Sequence, residues 1–222
     1  MALRVRRLRR GVASLRDDDR HGAPPSASVR AGLDDYFASN GFDTRTYDAP
    51  NFEVDLAEVT GEVWAFPNTP TRKRAIPLHD LHHVATGYGT DVLGEAEIGA
   101  WELVAGCNSL FLWWINLSAV GLGLLLKPWR TVRAAARALG QRTLYRDPLP
   151  YPALVELTVA ELRARLKVPP QGQADHPARL HRRAPGGRSE PQFSLPGPVR
   201  KVLRLLSAAI NPAFGGVRVP SH

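Results

Sequence analysis

Two imidazoles and two carboxylates fall within seventeen positions of this 222-residue chain: His79, Asp80, His83 and, after a gap of eleven residues, Glu95. His79 and His83 stand four apart, so on a helix they share one face and present both rings to a single point. Asp80 lies about 100° further round such a helix. There it can serve as a direct ligand, or orient a histidine through the second ring nitrogen. Glu95 returns from the next helix across a short turn and can close the coordination. Two histidines with one or two carboxylates suit a divalent metal, Zn²⁺ best, with Fe²⁺, Mn²⁺ and Co²⁺ also admitted. A bare His-Asp-x-x-His also arises by chance. In that setting His82 points away, to the surface or a supporting position, and Glu102 pairs with an arginine.

The elements that must hold these residues can be read from the same stretch. Pro77 suits the first turn of a helix, where its missing N–H is not needed. That helix runs through His83 and stops near Thr86-Gly87-Tyr88-Gly89. Thr90 or Asp91 then caps a second helix, which carries Glu95 and Glu102 on one face, seven residues apart. Ahead of the motif, Pro67-Asn68-Thr69-Pro70 reads as a turn that delivers Arg72-Lys73-Arg74, with Arg72 and Arg74 able to meet an anionic substrate. Tyr88 and Glu102 are candidates for proton donor or acceptor.

Further helices are expected over Ser28–Ala38, over a face of Phe52, Leu56, Val59 and Val63 with Asn51 as N-cap, and over 151–167, where Glu161 and Arg165 form an i, i+4 pair. Residues 104–126 contain no charge, about 34 Å if fully helical. That length admits a membrane span, or a bent helix or hairpin lining an apolar pocket, because Asn108, Asn116 and three glycines interrupt it. The expected fold is all-α. A compact multi-helix domain over 29–168 contains a long apolar helix or helical hairpin. A basic extension and linker, 1–28, precedes it, and a Pro/Arg-rich linker with a C-terminal amphipathic helix, 169–222, follows.

The single cysteine, Cys107, excludes an internal disulfide and a thiolate zinc finger, and suits a reducing compartment. The net charge is +8, unevenly spread: residues 1–16 carry +6, residues 169–222 another +6, and the body between them −4. Basic ends around an acidic body fit anionic lipid head groups better than nucleic acid, for which no recognition motif is present. Leu3, Val5, Leu8, Val12 and Leu15 suggest a basic surface helix or, given Gly11, a disordered basic start. No secretory signal is visible, and Asp17-Asp18-Asp19 cuts short a mitochondrial transit pattern.

His-Asp-x-x-His, eleven residues and Glu is also the hallmark of the family of the fourth coenzyme Q biosynthesis protein, and the chain resembles that family over roughly 50–168. The neighbours agree: Thr86-Gly87 after the second histidine, Leu93-Gly94-Glu95 at the last ligand, Trp101-Glu102 beyond it, and then the apolar stretch. The start before residue 50 and the tail after Pro169 do not follow the family. The resemblance implies an all-α, membrane-peripheral protein whose His79, Asp80, His83 and Glu95 hold zinc or a similar metal. It implies binding of a polyprenylated aromatic intermediate of ubiquinone synthesis, with replacement of the ring carboxylate by a hydroxyl, and contact with other quinone-biosynthesis enzymes. A homodimer is compatible. Many arginines and alanines with few lysines suggest a bacterial chain with GC-rich coding, which would place it at the cytoplasmic face of the inner membrane, the matrix side of the mitochondrial inner membrane being the alternative. A lipid-binding scaffold with a structural metal is the rival reading, since no nucleophile stands beside the ligands. A di-iron membrane hydroxylase lacks its further histidine boxes, and a His-Asp phosphohydrolase its further ligands.

Overall fold

The computed structural model describes residues 22–42, 47–56, 59–175 and 195–219. Ser28 opens helix α1 (Val29–Asn40), its hydroxyl accepting from the Ala31 N–H, so this expected helix is present. The next expected helix is not. Asn51–Asp55 and Val63–Pro67 are strands β1 and β2, antiparallel, with Phe52 opposite Phe66 and Val54 opposite Trp64. The spacing of Phe52, Leu56, Val59 and Val63 mimicked a helical face across a turn that reverses at Gly61. Phe, Trp and Val at those positions favour a half-buried strand instead. A short strand β3 (Val217–Arg218), at the far end of the chain, pairs with β2 and makes the sheet three-stranded. The domain is otherwise helical, as expected.

Helix α2 (Pro70–Thr86) starts seven residues earlier than Pro77 suggests. Thr69 caps it and Pro70 takes the first-turn position, so Pro77 lies inside the helix and one i→i−4 bond is forgone. Arg72, Lys73 and Arg74 thus ride on the metal-motif helix itself. The helix ends as expected, at Gly87, whose φ of 80° sends the chain through the left-handed region. Asp91 caps helix α3 (Val92–Ala105) by accepting from the Gly94 N–H at 2.8 Å.

The uncharged 104–126 stretch is divided. α3 ends at Ala105, and Ser109 caps a separate helix α4 (Leu110–Leu126), whose 17 residues reach only about 25 Å. Among the described residues no helix is long and apolar enough to cross a membrane. α4 packs on α3 through small residues. A Cβ on Gly123 would meet Ala96 Cβ at 2.4 Å, and one on Gly99 would meet the Asn116 carbonyl at 3.3 Å. Helix α5 (Pro128–Arg137) follows and packs on α3 as well, held by a buried Glu97 that accepts from Arg130 at 2.5 and 3.1 Å.

The expected helix over 151–167 is two: α6 (Tyr151–Leu154) and α7 (Val159–Leu166). The break is chemical. Thr158 and Glu161 form a reciprocal capping box that starts α7, so Glu161 does not pair with Arg165, which bonds Asp147 at 3.0 Å instead. Beneath α2, Leu81, Val84, Ile98, Trp101, Leu154 and Leu162 form the main core. Arg163 is buried in it and donates to the carbonyls of Ala85, Pro170 and Ala23, fixing both chain approaches. The packed body reaches past residue 168. Gln173 and Ala174 donate to the Thr86 carbonyl, and Asp175 pairs with Arg133 and Arg137. Helix α8 (Gly197–Ile210) is the expected amphipathic C-terminal helix. The basic helix suggested for residues 3–15 lies outside the described residues.

Gly94 is the tightest point of this frame. A Cβ there would lie 2.1 Å from the Gly89 carbonyl oxygen, which is backbone and cannot swing aside. Gly94→Ala is therefore expected to lower the unfolding free energy by about 1–3 kcal/mol, read from the urea midpoint at unchanged slope.

Candidate metal centre

One turn of α2 sets His79 and His83 side by side, their Nε2 atoms 3.1 Å apart. Asp91 and Gly94 then aim the first turn of α3 so that Glu95 reaches them, Oε2 3.6 Å from His79 Nε2 and Oε1 3.5 Å from His83 Nε2. Ligand atoms around one tetrahedral zinc would be about 3.3 Å apart, so this triangle has the right size for a single ion. Among the described residues, His79, His83 and Glu95 are the group that could hold a metal.

The outer nitrogens explain why Nε2 is the free atom on both rings. His83 Nδ1 lies 3.0 Å from the Tyr88 carbonyl, which can only accept, so Nδ1 carries the proton and Nε2 the lone pair. His79 Nδ1 lies 2.8 Å from the carboxylate of Glu102, with the same consequence. Two lone pairs facing one another at 3.1 Å require a cation between them, either a proton or a metal ion. That is the fit of this site to a divalent metal, made by the support behind the ligands as much as by the ligands.

Glu102 does more than hold His79. Fully buried, it also accepts from His82 Nδ1 at 2.7 Å, from the Tyr145 hydroxyl at 2.7 Å and from the Asn116 side-chain N–H at 2.8 Å. His82 in turn accepts from the Leu144 backbone N–H at 2.8 Å, at the 3₁₀ turn Leu144–Arg146, which confirms its tautomer. Of the two settings expected for His82, surface or support, the structure has the support, since it is buried against Glu102, whereas Glu102 is a partner of histidines and not of the expected arginine. Glu102 stands alone as a charge among apolar neighbours at the end of α3, and that isolation was its sequence signal. Asn116 and Tyr145 had none.

Asp80 lies outside the group of three. Its carboxylate accepts from the Tyr36 hydroxyl at 3.3 Å and from the Tyr47 hydroxyl, and the rings of Tyr36 and His83 stack at 5.5 Å. The orienting part that Asp80 could have played belongs to Glu102 and to the Tyr88 carbonyl. Tyr88 meets this group through its carbonyl, and its buried hydroxyl makes no hydrogen bond among the described residues. The basic triplet divides. Arg74 is exposed, and Lys73 donates to the Asp48 carbonyl at 2.9 Å. Arg72 turns inward, 3.7 Å above the Phe52 ring and bonded to Asn68 Oδ1 at 3.1 Å, while its buried Nε finds no acceptor among the described residues.

Charge in the site follows this geometry. Burial pushes His83 down to about 4, so it is neutral and ready to bind metal. Burial would also lower His79, but Glu102, helped by Glu95, holds it well above the ordinary 6.5. Burial opposes ionisation of Glu102, yet His79 and His82 hold it well below the ordinary 4.5. Asp80 is raised to about 6 by burial, against the pull of His79 and Tyr47. Arg72 is lowered to about 10 by burial, with Asp80 and Tyr47 pulling it back up.

Compared with models of protein families, with curated proteins and with solved structures, the chain matches none.

Two outcomes follow from the Glu102 support. Glu102→Gln should weaken zinc binding by roughly 10–100-fold in calorimetric titration, the usual effect of removing such a partner. In the metal-free protein the raised His79 stabilises the fold below its ordinary 6.5, and the depressed Glu102 does so above its ordinary 4.5. Thermal stability should thus be highest between those values, falling as pH drops through Glu102's depressed value or rises through His79's elevated one. Both flanks should flatten in Glu102→Gln.

Proposed function

We propose that this protein holds one divalent metal ion between His79, His83 and Glu95. With it, the protein replaces the ring carboxyl group of a polyprenylated 4-hydroxybenzoate-type intermediate of ubiquinone synthesis by a hydroxyl. The observation that carries the metal is the pair of facing imidazole lone pairs beside Glu95. The Glu95 side chain is 40% exposed, so the triangle is open on one side. Three protein ligands with an open position mark a catalytic site, whereas structural zinc sites are closed by four, which favours the enzyme over the scaffold.

When bound, the ion supplies Lewis acidity to the substrate's carboxylate or phenolate oxygen and, if redox-active, an electron reservoir. The conversion is an oxidation: the bond from ring carbon to carboxyl carbon breaks, carbon dioxide leaves, and a C–O bond forms. Dioxygen, two electrons and two protons balance it, leaving one water. Zinc suits the ligands, but two histidines and one carboxylate also suit Fe²⁺, which the oxidative step favours.

The chain's own residues provide the rest. Glu102 and the Tyr88 carbonyl hold the imidazoles in the metal-binding tautomer. Arg72 offers an unpartnered Nε to a substrate oxygen. From Arg72 a ladder of rings leads towards α4, Phe52 to Phe66 at 5.5 Å and Phe66 to Trp114 at 5.6 Å. Such a wall suits an isoprenoid tail, each buried CH₂ being worth about 0.8 kcal/mol. The substrate's lipid character sets the working place at a membrane surface, the cytoplasmic face of a bacterial inner membrane.

Elemental analysis of the purified protein should find one metal ion per chain, absent from a His79→Ala, His83→Ala double variant. With a prenylated 4-hydroxybenzoate-type acid, dioxygen and a two-electron reductant such as ascorbate, the loaded protein should release carbon dioxide, and Arg72→Gln should raise KM with kcat little changed. A metal-free protein, or full turnover by the double variant, would refute the reading.

A further inference from the structure

The surface of α4, α5 and α8 is out of keeping with water. Along α4, Leu110, Trp113, Leu117 and Leu124 recur at helical spacing on the outer side, with Leu110 89% and Leu117 53% exposed. Trp129, at the start of α5, continues the stripe at 80% exposure. In the tail, α8 buries none of its 14 residues, and Leu205 is 61% exposed, beside Leu206 and Ile210. Just past α8, Phe214 stacks on Trp114 of α4 at 4.2 Å, which brings the end of the tail against that helix. A tryptophan-bearing face of this extent, exposed among the described residues, calls for an occupant.

Charge names it. α4, α5 and α8 contain no carboxylate, and Lys127 stands just before α5 and Arg200, Lys201 and Arg204 on α8, whereas Arg130 and Arg133 are paired with Glu97 and Asp175 from elsewhere in the chain. Exposed leucine and tryptophan with flanking arginine and lysine is the composition of an interfacial helix on anionic lipid. A second copy of the chain fits poorly, because a two-fold contact through this face would set the same cations against one another.

We infer that α4, the start of α5 and the C-terminal helix α8 form one docking face for an anionic phospholipid bilayer, with α8 lying flat in the head-group layer. This deepens the membrane-surface part of the function proposed above and rests on it only there, since neither the metal nor the reaction enters. The docked edge includes α4, from which Trp114 packs on the buried Phe52–Phe66 cluster beside Arg72.

The full-length protein is to be sedimented with vesicles of phosphatidylcholine alone and of phosphatidylcholine with phosphatidylglycerol. Binding should be at least about tenfold stronger to the anionic vesicles, and should fade as salt is raised. Leu117→Ser with Trp129→Ser, and separately Leu205→Ser with Leu206→Ser, should each weaken it by about tenfold. Arg200→Glu with Lys201→Glu should abolish the preference for phosphatidylglycerol. All these side chains are at least partly exposed, so the circular dichroism and metal content of each variant should match the parent, which separates failure here from failure of the metal site. Equal binding to neutral vesicles, no binding, or a lipid-free dimer that the serine variants dissociate would overturn the inference.

Discussion

A carboxylate buried with no exposure must be surrounded by donors, and Glu102 is surrounded by four: His79, His82, Asn116 and the Tyr145 hydroxyl. Leaving a buried charge unpaired costs several kcal/mol, so these four partners are not free to drift. They come from α2, α4 and the segment after α5, while Glu102 itself sits on α3. One side chain thus fixes the mutual placement of four parts of the chain. The same contact protonates His79 on the outer nitrogen and turns its lone pair towards His83. Packing and chemistry share a single constraint.

This dependence explains which parts of the site could be read in advance. His79, His83 and Glu95 were legible because ligand spacing on helices is local: four residues for the pair, one capped turn for the carboxylate. The support was not, because Asn116 and Tyr145 reach Glu102 from 14 and 43 residues away. Asp80 shows the converse. Adjacency to His79 in sequence made it a ligand or an orienting group, but a helix turns it aside, to Tyr36 and Tyr47.

The fold was legible to a similar depth. The cap acted where expected at Asp91, since a side-chain oxygen and a backbone N–H three residues on form a nearly self-contained unit, while the cap expected at Asn51 fell in a strand. Periodicity was less dependable. Phe52, Leu56, Val59 and Val63 matched a helical repeat across two strands and a turn, because a short apolar series cannot distinguish the two periods. Pro77 looked like a helix start since local rules disfavour proline in a helix interior, yet the burial of α2 outweighs one lost hydrogen bond. In the uncharged 104–126 run the interruption read from Asn108 and the glycines is real, though its place is set by the cap at Ser109.

The ligands differ in how firmly they are held, and this difference suits catalysis. His79 and His83 are anchored through their outer nitrogens, one to a buried carboxylate and one to a backbone carbonyl. Glu95 has only the helix cap behind it and a side chain in contact with solvent. An ion would therefore meet two fixed nitrogens and one adjustable carboxylate. The rigid half would keep such an ion near the buried charge of Glu102, and the adjustable half lies on the side that solvent reaches.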